Sequence, residues 1–429
     1  MLESLVIEGG NRLQGVVAVS GAKNAALPLL FATLLTGEPV ILRNIPDLED
    51  ISVTLRLLTS LGAKTSFEGN CVSVHTPKIL SSETPYGLVK LLRASFWALG
   101  PLVARSGEAR VALPGGDAIG TRPVDLHLDG LRKLGAEIRL EHGVVIATAP
   151  GGLRPAKVEL EFPSVGATHN ILMAMALIDG ESELIGAACE PEVTELASLL
   201  QCMGAEIKGA GTSRLIVKGK KALGSAEWHV LGDRIEAATY LLAGAVTQGE
   251  VTVHGISPNI IRSTLDVLSL MGCSLDESGD AVTLKINNRV LPVDVRTAPH
   301  PGFATDVQPL LMAALTKAQG VSTVTETIFE SRFGHVSEYR RFGANISLEA
   351  RKATIVGVET LSSAPVEGAD IRAVAGLVLM ALMAEGKTEI GGLHHLDRGY
   401  QGLVEKLLKL GAHVKRTPTF DQRELVVGC

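Results

Sequence analysis

Two hydrophobic patterns alternate along the chain, each with a period of about seventy residues. In the first, an amphipathic stretch ends in Gly, a small residue and a short alternating segment, as in LRKLGAEIRL and YRRFGANISL. In the second, a stretch that is apolar on nearly all sides ends in a glycine turn before another such segment, as in ILMAMALIDGESELI. The first pattern predicts an exposed helix and the second a buried helix. Each unit is therefore predicted to read β-α-β-α-β-β.

A glycine marks the same point in every unit, where the amphipathic helix is predicted to end in the left-handed conformation that only Gly adopts cheaply. These glycines are Gly62, Gly135, Gly204, Gly272, Gly343 and Gly411. An ordinary alternating α/β sheet is the other interpretation, but it does not require two patterns that each recur six times. Six units are too many for one core, so we expect two domains of three units with a boundary near residues 225–232. The N-terminal segment LVIEGG could pair with either domain, and the cleft between the domains is the expected small-molecule site.

The composition limits the kinds of molecule that the protein is expected to bind. The chain has 429 residues, of which 46% are hydrophobic and 3% aromatic, so the core must consist mainly of Ala, Val, Leu and Ile. A net charge of −6 argues against binding to nucleic acid or to an anionic membrane. The five cysteines form no CxxC pair, which predicts neither a disulfide framework nor a zinc site. MLESLVIEGG is not a signal peptide and the apolar stretch 372–384 is too short to span a bilayer, so we expect a cytoplasmic protein.

The first candidate for chemistry is the segment SGAKNAALP. Ser20 is predicted to cap a helix whose first turn holds Lys23 and Asn24. A lysine is unfavourable at the positive end of a helix dipole unless it holds an anion together with the free N–H groups there. The alternative is a solvated surface lysine.

Two other segments carry candidate acids. Asp117 lies between glycines in LPGGDAIGTRP, which predicts a mobile loop over residues 111–123. Taken alone, an aspartate in such a segment is more often the polar tip of a turn than a catalytic group. Asp306 follows TAPHPGFAT at the start of a buried helix, where the helix dipole alone could account for a carboxylate. Arginines near the ends of successive repeats could converge on a carboxylate or phosphate: Arg332, Arg372 and Arg398.

Taken in order, SGAKNAALP, LPGGDAIGTRPVDLH, FPSVGAT, EPEV, DRIEAATY, TAPHPGFATD and LDRGY resemble the UDP-N-acetylglucosamine 1-carboxyvinyltransferase family of enolpyruvyl transferases. The resemblance runs from residue 5 to about residue 415. It implies an α/β (α+β) protein with two inside-out α/β barrel domains, each of three β-α-β-α-β-β repeats. The first domain would span residues 22–231, and the second residues 1–21 and 232–429.

The family reaction implied by this resemblance transfers enolpyruvyl from phosphoenolpyruvate to the 3′-hydroxyl of UDP-N-acetylglucosamine and releases phosphate. It proceeds by addition and elimination through a tetrahedral intermediate, without a metal or an organic cofactor. It is the first committed step of peptidoglycan synthesis, and hence serves cell-wall biogenesis, cell shape and cell division.

The resemblance also implies roles for individual residues. The catalytic set is Lys23, Asp117, Asp306 and Arg398, with Lys23 and Arg398 on phosphoenolpyruvate, Asp117 as proton donor and Asp306 as the base for the sugar hydroxyl. The substrate-binding set adds residues that would line the cleft or cradle the UDP-sugar: Asn24, Arg93, Arg122, Pro123, Val124, Asp125, Leu126, Ser164, Val165, Ile328, Arg332 and Arg372. Asp50 matches a further acidic residue of the cleft.

Asp117 is the one departure from the usual pattern, because most family members have a cysteine there. That cysteine thiol is also the group alkylated by fosfomycin, so we expect resistance to this antibiotic. Two other functions stay open at this point. One is enolpyruvyl transfer to a different acceptor, and the other is a non-catalytic paralogue that binds UDP-N-acetylglucosamine.

Overall fold

The computed structural model describes residues 3–115, 119–120 and 123–418. Its strands are β1 (Glu3–Glu8), β2 (Gln14–Ala18), β3 (Val40–Arg43), β4 (Lys64–Glu68), β5 (Cys71–His75), β6 (Glu108–Ala112), β7 (Glu137–Glu141), β8 (Val144–Thr148), β9 (Lys157–Glu159), β10 (Gly180–Ile185), β11 (Glu206–Lys208), β12 (Arg214–Gly219), β13 (Ala226–His229), β14 (Glu250–His254), β15 (Ser274–Ser278), β16 (Ala281–Lys285), β17 (Asp294–Arg296), β18 (Val321–Thr325), β19 (Asn345–Glu349), β20 (Lys352–Val356), β21 (Val366–Glu367), β22 (Lys387–Gly391) and β23 (His413–Pro418).

The α-helices are α1 (Lys23–Ala32), α2 (Glu49–Ser60), α3 (Tyr86–Val89), α4 (Leu99–Ser106), α5 (Asp125–Lys133), α6 (Val165–Ala176), α7 (Pro191–Cys202), α8 (Arg234–Val246), α9 (Arg262–Leu270), α10 (Gln308–Leu315), α11 (Val336–Arg341), α12 (Ile371–Met383), α13 (Leu393–Asp397) and α14 (Leu403–Lys409). Short 3₁₀ segments cover Thr33–Leu35, Arg93–Ala98, Pro258–Ile261 and Thr305–Val307. In the part of the chain that the structure describes, no helix is both long enough and apolar enough to cross a bilayer.

Each predicted repeat forms one small sheet. In the described part of the chain there are six sheets, five with four strands and one with three. The order β17-β18-β20-β19 is representative, since β17 pairs parallel with β18 and the remaining pairs are antiparallel. In the three-stranded sheet β6-β8-β7, a parallel bridge between Glu83 and Arg110 stands in place of the parallel strand. The predicted α/β repeat is confirmed.

The two helix classes of the sequence pattern are also confirmed. The apolar segments form α1, α4, α6, α8, α10 and α12, which are mostly buried, and in α12 every residue is buried. The amphipathic segments form α2, α5, α7, α9, α11 and α14, each with polar residues exposed. The six marker glycines follow these outer helices with φ between 89° and 115°, as the left-handed ending requires.

Two separate hydrophobic cores run through the molecule. One is built from residues between 22 and 230, and the other from residues 5–17 together with residues between 235 and 414. Strand β1 lies between β22 and β23, and so belongs to the last sheet of the second core. The domain boundaries at 22–231 stay a prediction, with which this division of the cores agrees.

The chain crosses between the cores twice, and the crossings lie side by side. Strand β2 leads into α1 of the first core but pairs with β14 of the second, whereas β13 leads into α8 of the second core but pairs with β3 of the first. Between them, Gly21 and Gly232 form an antiparallel bridge. A Cβ atom on Gly21 would lie 1.6 Å from the carbonyl oxygen of Asn44, so the position has room only for glycine.

Gly21→Ala is expected to lower the free energy of unfolding by about 2 kcal/mol, because the methyl group must push apart the packed backbones of the crossing. Gly87→Ala is the matched control, since a Cβ at Gly87 meets nothing within 4 Å. Urea unfolding of both variants checks the prediction. Equal stability of the two variants would show that the crossing tolerates a side chain.

Candidate active site

The N-terminus of α1 is held by the second core. Lys23 is the first residue of α1 and Asn24 the second, so the predicted first turn is confirmed. Ser20 as the helix cap is wrong: the N-cap is Ala22, which makes no side-chain bond, and the Lys23 N–H donates to Asp233 Oδ2 at 3.3 Å. Ser20 lies too early in the chain to cap, and its hydroxyl instead accepts from Lys406 Nζ at 2.8 Å. Lys23 is only 7% exposed, which excludes a solvated surface lysine.

Asp50 joins Lys23 to the opposite core. Its Oδ2 atom accepts from Lys23 Nζ at 3.2 Å, and its Oδ1 atom accepts from Arg398 Nε at 2.8 Å. Asp50 is 3% exposed near the start of α2, while Arg398 directly follows α13 in the second core. Two cations from different cores therefore share one buried carboxylate, and the contact from Arg398 has the length typical of a charge-assisted hydrogen bond.

Asp306 is held in the same way by two arginines of the second core. Arg332 Nη2 donates to Oδ1 at 2.8 Å, and Arg372 Nη2 donates to Oδ2 at 3.0 Å. Both arginines are buried, whereas the Asp306 side chain stays 28% exposed on the 3₁₀ segment that leads into α10. Burial would raise the pKa of Asp306, but the Arg372 and Arg332 guanidiniums outweigh burial and hold the pKa far below its usual range.

Asp233 and Tyr400 lie between these two clusters. Asp233 caps α8, accepts from Lys23 N and is close enough to Arg372 to favour its charged form. The guanidinium of Arg372 is 5.6 Å from the centre of the Tyr400 ring, and the Tyr400 hydroxyl hydrogen-bonds Thr239 Oγ1 at 2.9 Å. The four predicted cations Lys23, Arg332, Arg372 and Arg398 are therefore brought into one region between the cores.

A second ionic contact between the cores involves residues outside the predicted site. Arg234, at the start of α8, donates from Nε to Glu192 Oε1 of α7 at 2.8 Å. Glu190 accepts from the backbone N–H of His300 at 3.2 Å, and burial raises the pKa of Glu190 above its ordinary value. Glu190 and Glu192 lie in the segment EPEV, and Arg234 lies in DRIEAATY. The charged residues of these two segments are the sequence feature that could have indicated the contact.

The predicted UDP-sugar residues lie mainly around two helix N-termini of the first core. Val124 is the N-cap of α5 and Asp125 its first residue, while Ser164 is the N-cap of α6 and accepts from Ala167 N at 3.3 Å. Helices α5 and α6 pack together. Arg93 Nη2 donates to the carbonyl of Pro123 at 3.4 Å.

The remaining members of this set are placed as follows. Val165 is the first residue of α6, and Leu126 packs against the first core from α5. Ile328 lies three residues after β18, and its N–H donates to Glu326 Oε1 at 2.8 Å. The other oxygen of Glu326 accepts from Thr305 Oγ1 at 3.0 Å, which ties the Ile328 segment to the residue before Asp306.

Two predicted residues of the loop, Asp117 and Arg122, lie outside the described residues. The described part of the loop contacts the second core. The backbone N–H of Ser331 donates to the carbonyl of Ile119 at 3.2 Å, and Gly120 lies against the Glu330 side chain.

The fold and this cation-rich cleft define an enolpyruvyl transferase. The family model described as EPSP synthase (3-phosphoshikimate 1-carboxyvinyltransferase) matches residues 7–407. The enolpyruvyl transferase NikO from Streptomyces tendae superposes with a TM-score of 0.88 at 28% identity, covering 98% of this chain and all of NikO. An EPSP synthase from Acinetobacter baumannii has a TM-score of 0.77 at 17% identity, covers 97% of this chain and 100% of its own, and shares the fold.

Within that class, the chain belongs to the UDP-N-acetylglucosamine 1-carboxyvinyltransferase family. A relative of that name, numbered 2, from Carboxydothermus hydrogenoformans is 48% identical over 417 residues, which cover 97% of this chain and 99% of the relative. Another from Xanthobacter autotrophicus is 47% identical over 426 residues, with the same coverage.

Proposed function

We propose that this enzyme transfers the enolpyruvyl group of phosphoenolpyruvate to the 3′-hydroxyl of UDP-N-acetylglucosamine and releases phosphate. One observation carries the proposal: four cations between the cores share two carboxylates. Lys23 and Arg398 share Asp50, and Arg332 and Arg372 share Asp306. The surplus of positive charge suits an anionic substrate, whose burial would otherwise cost several kcal/mol per charge.

Phosphoenolpyruvate is assigned first to Lys23 and Arg398 around Asp50, with its anionic groups also reaching the arginines around Asp306. Lys23 stands at the first turn of α1, where the helix dipole and free N–H groups also favour an anion. Arg398 reaches the same place from the other core, so a bound anion would link the two cores. Asn24 and Arg122 complete the proposed set, Asn24 from the second position of α1.

The UDP-sugar is assigned to the N-termini of α5 and α6. A helix N-terminus offers unpaired N–H groups and a positive potential to a diphosphate, and here two such ends belong to packed helices beside Arg93. Pro123, Val124, Asp125 and Leu126 would line the nucleotide on one side. Ser164 and Val165 would line the other, with Ile328 reaching in from the second core.

Asp306 is the proposed base. The 3′ oxygen of the sugar loses its proton to Asp306 and bonds to C2 of phosphoenolpyruvate, while C3 gains a proton from Asp117. Elimination then breaks the bond from C2 to the phosphate oxygen, and loss of a proton from C3 restores the double bond. Every atom of both substrates is thereby accounted for in the product and in phosphate.

Arg332 and Arg372 control whether Asp306 can accept a proton. With Arg332 and Arg372 both bonded to it, the carboxylate has a very low pKa and is a poor proton acceptor. Anionic groups of phosphoenolpyruvate would compete for these arginines, which raises the pKa of Asp306 towards its ordinary value. The base would therefore become effective only after phosphoenolpyruvate has bound.

A related transferase with another acceptor is the alternative to be tested. Turnover with phosphoenolpyruvate is measured with UDP-N-acetylglucosamine and with other UDP-sugars at matched concentrations. The proposal requires UDP-N-acetylglucosamine to give the highest kcat/KM. A higher kcat/KM with another UDP-sugar would show that the enzyme is a related transferase with a different acceptor. Tight UDP-N-acetylglucosamine binding without turnover would indicate a non-catalytic paralogue.

Asp117→Cys is expected to make the enzyme sensitive to fosfomycin while the native protein resists it. A carboxylate is a far weaker nucleophile towards the epoxide than a thiolate. The ordinary pKa is about 3.9 for Asp and about 8.5 for Cys. As pH rises, Asp117 should lose its proton at a lower pH than a cysteine at the same position. Because the donor must be protonated, the activity of the native enzyme should decline at a lower pH than that of Asp117→Cys. Mass spectrometry for the drug adduct and pH–rate profiles of both proteins check this prediction.

Two results would contradict the role given to Asp117. One is a covalent fosfomycin adduct on the native protein. The other is an alkaline limb of the pH–rate profile that stays at the same pH in Asp117→Cys.

A further inference from the structure

A buried amide–imidazole pair lies beneath the N-terminus of α6. Asn170, on α6, has its side chain fully buried, and its Nδ2 atom lies 3.1 Å from Nδ1 of His127, which is 6% exposed on α5. Neither residue belongs to the predicted site. The hydrogen-bonding groups around the pair determine which ring nitrogen of His127 carries the proton.

Two backbone groups fix the orientation of the Asn170 amide. The Gly100 N–H can only donate, and it lies 2.7 Å from Oδ1 of Asn170. The Phe96 carbonyl can only accept, and it lies 3.1 Å from Nδ2. Reversing the amide would set donor against donor and acceptor against acceptor, which is costly for buried groups. A Cβ on Gly100 would lie 2.5 Å from Oδ1, so this close contact also requires glycine there.

The second hydrogen of Nδ2 then points to His127. Since Nδ2 donates, Nδ1 of His127 must accept, and a neutral ring must carry its proton on Nε2. Burial, with a further contribution from Arg93, lowers the pKa of His127 to about 3, so the ring is neutral at physiological pH. The arrangement therefore defines a single tautomer.

The protonated nitrogen lies at the proposed UDP-sugar site. Nε2 is 3.0 Å from the position that a Cβ on Gly166 would take, in the first turn of α6. Among residues 3–115, 119–120 and 123–418, His127 makes its hydrogen bond through Nδ1, and nothing accepts from Nε2. An acceptor on a bound ligand would complete the hydrogen bonding of this ring.

We propose that Asn170 is a positioning residue, which locks His127 as the Nε2–H tautomer so that Nε2 donates to the diphosphate of the nucleotide sugar at the start of α6. This inference rests on the proposed function for the identity of the ligand. A neutral donor adds affinity for the diphosphate without a charge that titrates near neutral pH.

The tautomer is tested first, in the ligand-free full chain. Long-range ¹H–¹⁵N NMR distinguishes a protonated ring nitrogen from an unprotonated one, and His127→Gln assigns the signals. Nδ1 is expected to be unprotonated and Nε2 protonated in the native protein. Asn170→Asp, which has the same shape but only acceptors, should move a proton onto Nδ1. A native ring protonated at Nδ1, or no change in Asn170→Asp, would overturn the inference.

The consequence for binding is tested by calorimetry with UDP-N-acetylglucosamine and, separately, phosphoenolpyruvate. Asn170→Leu frees the ring and is expected to weaken UDP-N-acetylglucosamine about tenfold, with phosphoenolpyruvate changed less than about twofold. Thr36→Val is the control, because it removes another buried hydrogen bond of the first core, from Thr36 Oγ1 to the Leu223 carbonyl at 2.7 Å. It should change neither affinity.

The outcomes separate the inference from the proposed function. Equal weakening of both ligands by Asn170→Leu, or no weakening, contradicts the role of Asn170 while the function stands. A native protein that fails to bind UDP-N-acetylglucosamine contradicts the function, whatever the tautomer. If Asn170→Leu does not fold, the tautomer comparison with Asn170→Asp still decides.

Discussion

Asp306→Asn is expected to lower kcat about a thousandfold, within the range that a positioned general base contributes. The amide keeps the shape of the side chain but cannot take the proton of the sugar hydroxyl. Binding of UDP-N-acetylglucosamine should survive. Phosphoenolpyruvate should bind at least as tightly as before, because Arg332 and Arg372 lose the carboxylate that now competes for them. Steady-state kinetics and calorimetry measure the two effects separately.

Asp294→Asn is the matched control for this substitution. Asp294 is an exposed carboxylate on β17, and it accepts from the backbone N–H and the hydroxyl of Thr323 at 2.8 Å. Thermal unfolding of both variants shows whether the protein stays folded when Arg332 and Arg372 lose the carboxylate that they share. Lost UDP-sugar binding with near-normal turnover of the bound fraction would contradict the assignment of Asp306 as the base.

Lys23→Met is expected to raise the KM for phosphoenolpyruvate about a hundredfold, because a buried charge facing an anion is lost. The substitution keeps the aliphatic stem of the side chain. Asp50 keeps its bond from Arg398, so no buried carboxylate is left without a partner. The KM for UDP-N-acetylglucosamine should change less than about threefold, since its proposed site lies at α5 and α6.

Lys23→Arg should restore part of the affinity by returning the positive charge, and Lys64→Met, at an exposed lysine of β4, should behave as the native enzyme. Kinetics with each substrate varied in turn provide the measurement. If Lys23→Met raised both KM values equally, Lys23 would be a structural residue of the cleft.

Much of the fold is local in origin, and that part was predictable. The outer helices end at Gly62, Gly135 and their equivalents with positive φ, and α12 is buried throughout, as its apolar sequence indicates. The exchange of β2 and β13 between cores could not be read from the repeat, because each strand pairs with a strand far away along the chain. The prediction of Ser20 as the cap was wrong for a related reason. The carboxylate at the N-terminus of α1 belongs to Asp233, which is 210 residues from Lys23 in the sequence.

The site was predictable in its residue types but not in its pairings. Lys23 and the arginines are recognisable in their motifs, yet Asp50 and Arg398 meet across 348 residues. The clamp on Asp306 and its effect on the carboxylate pKa depend on two arginines brought close only by the fold. The contact of Arg234 with Glu192 between the cores also depends on tertiary packing, although both motifs are visible in the sequence.

The most direct test of the proposed reaction is to incubate the purified enzyme with phosphoenolpyruvate and UDP-N-acetylglucosamine, separately and together, and to follow phosphate release and the nucleotide product by mass spectrometry. We expect phosphate only when both substrates are present, with one phosphate released for each UDP-N-acetylglucosamine that gains an enolpyruvyl group. Phosphate released without the sugar nucleotide, or no enolpyruvyl product when both are present, would contradict the proposed function.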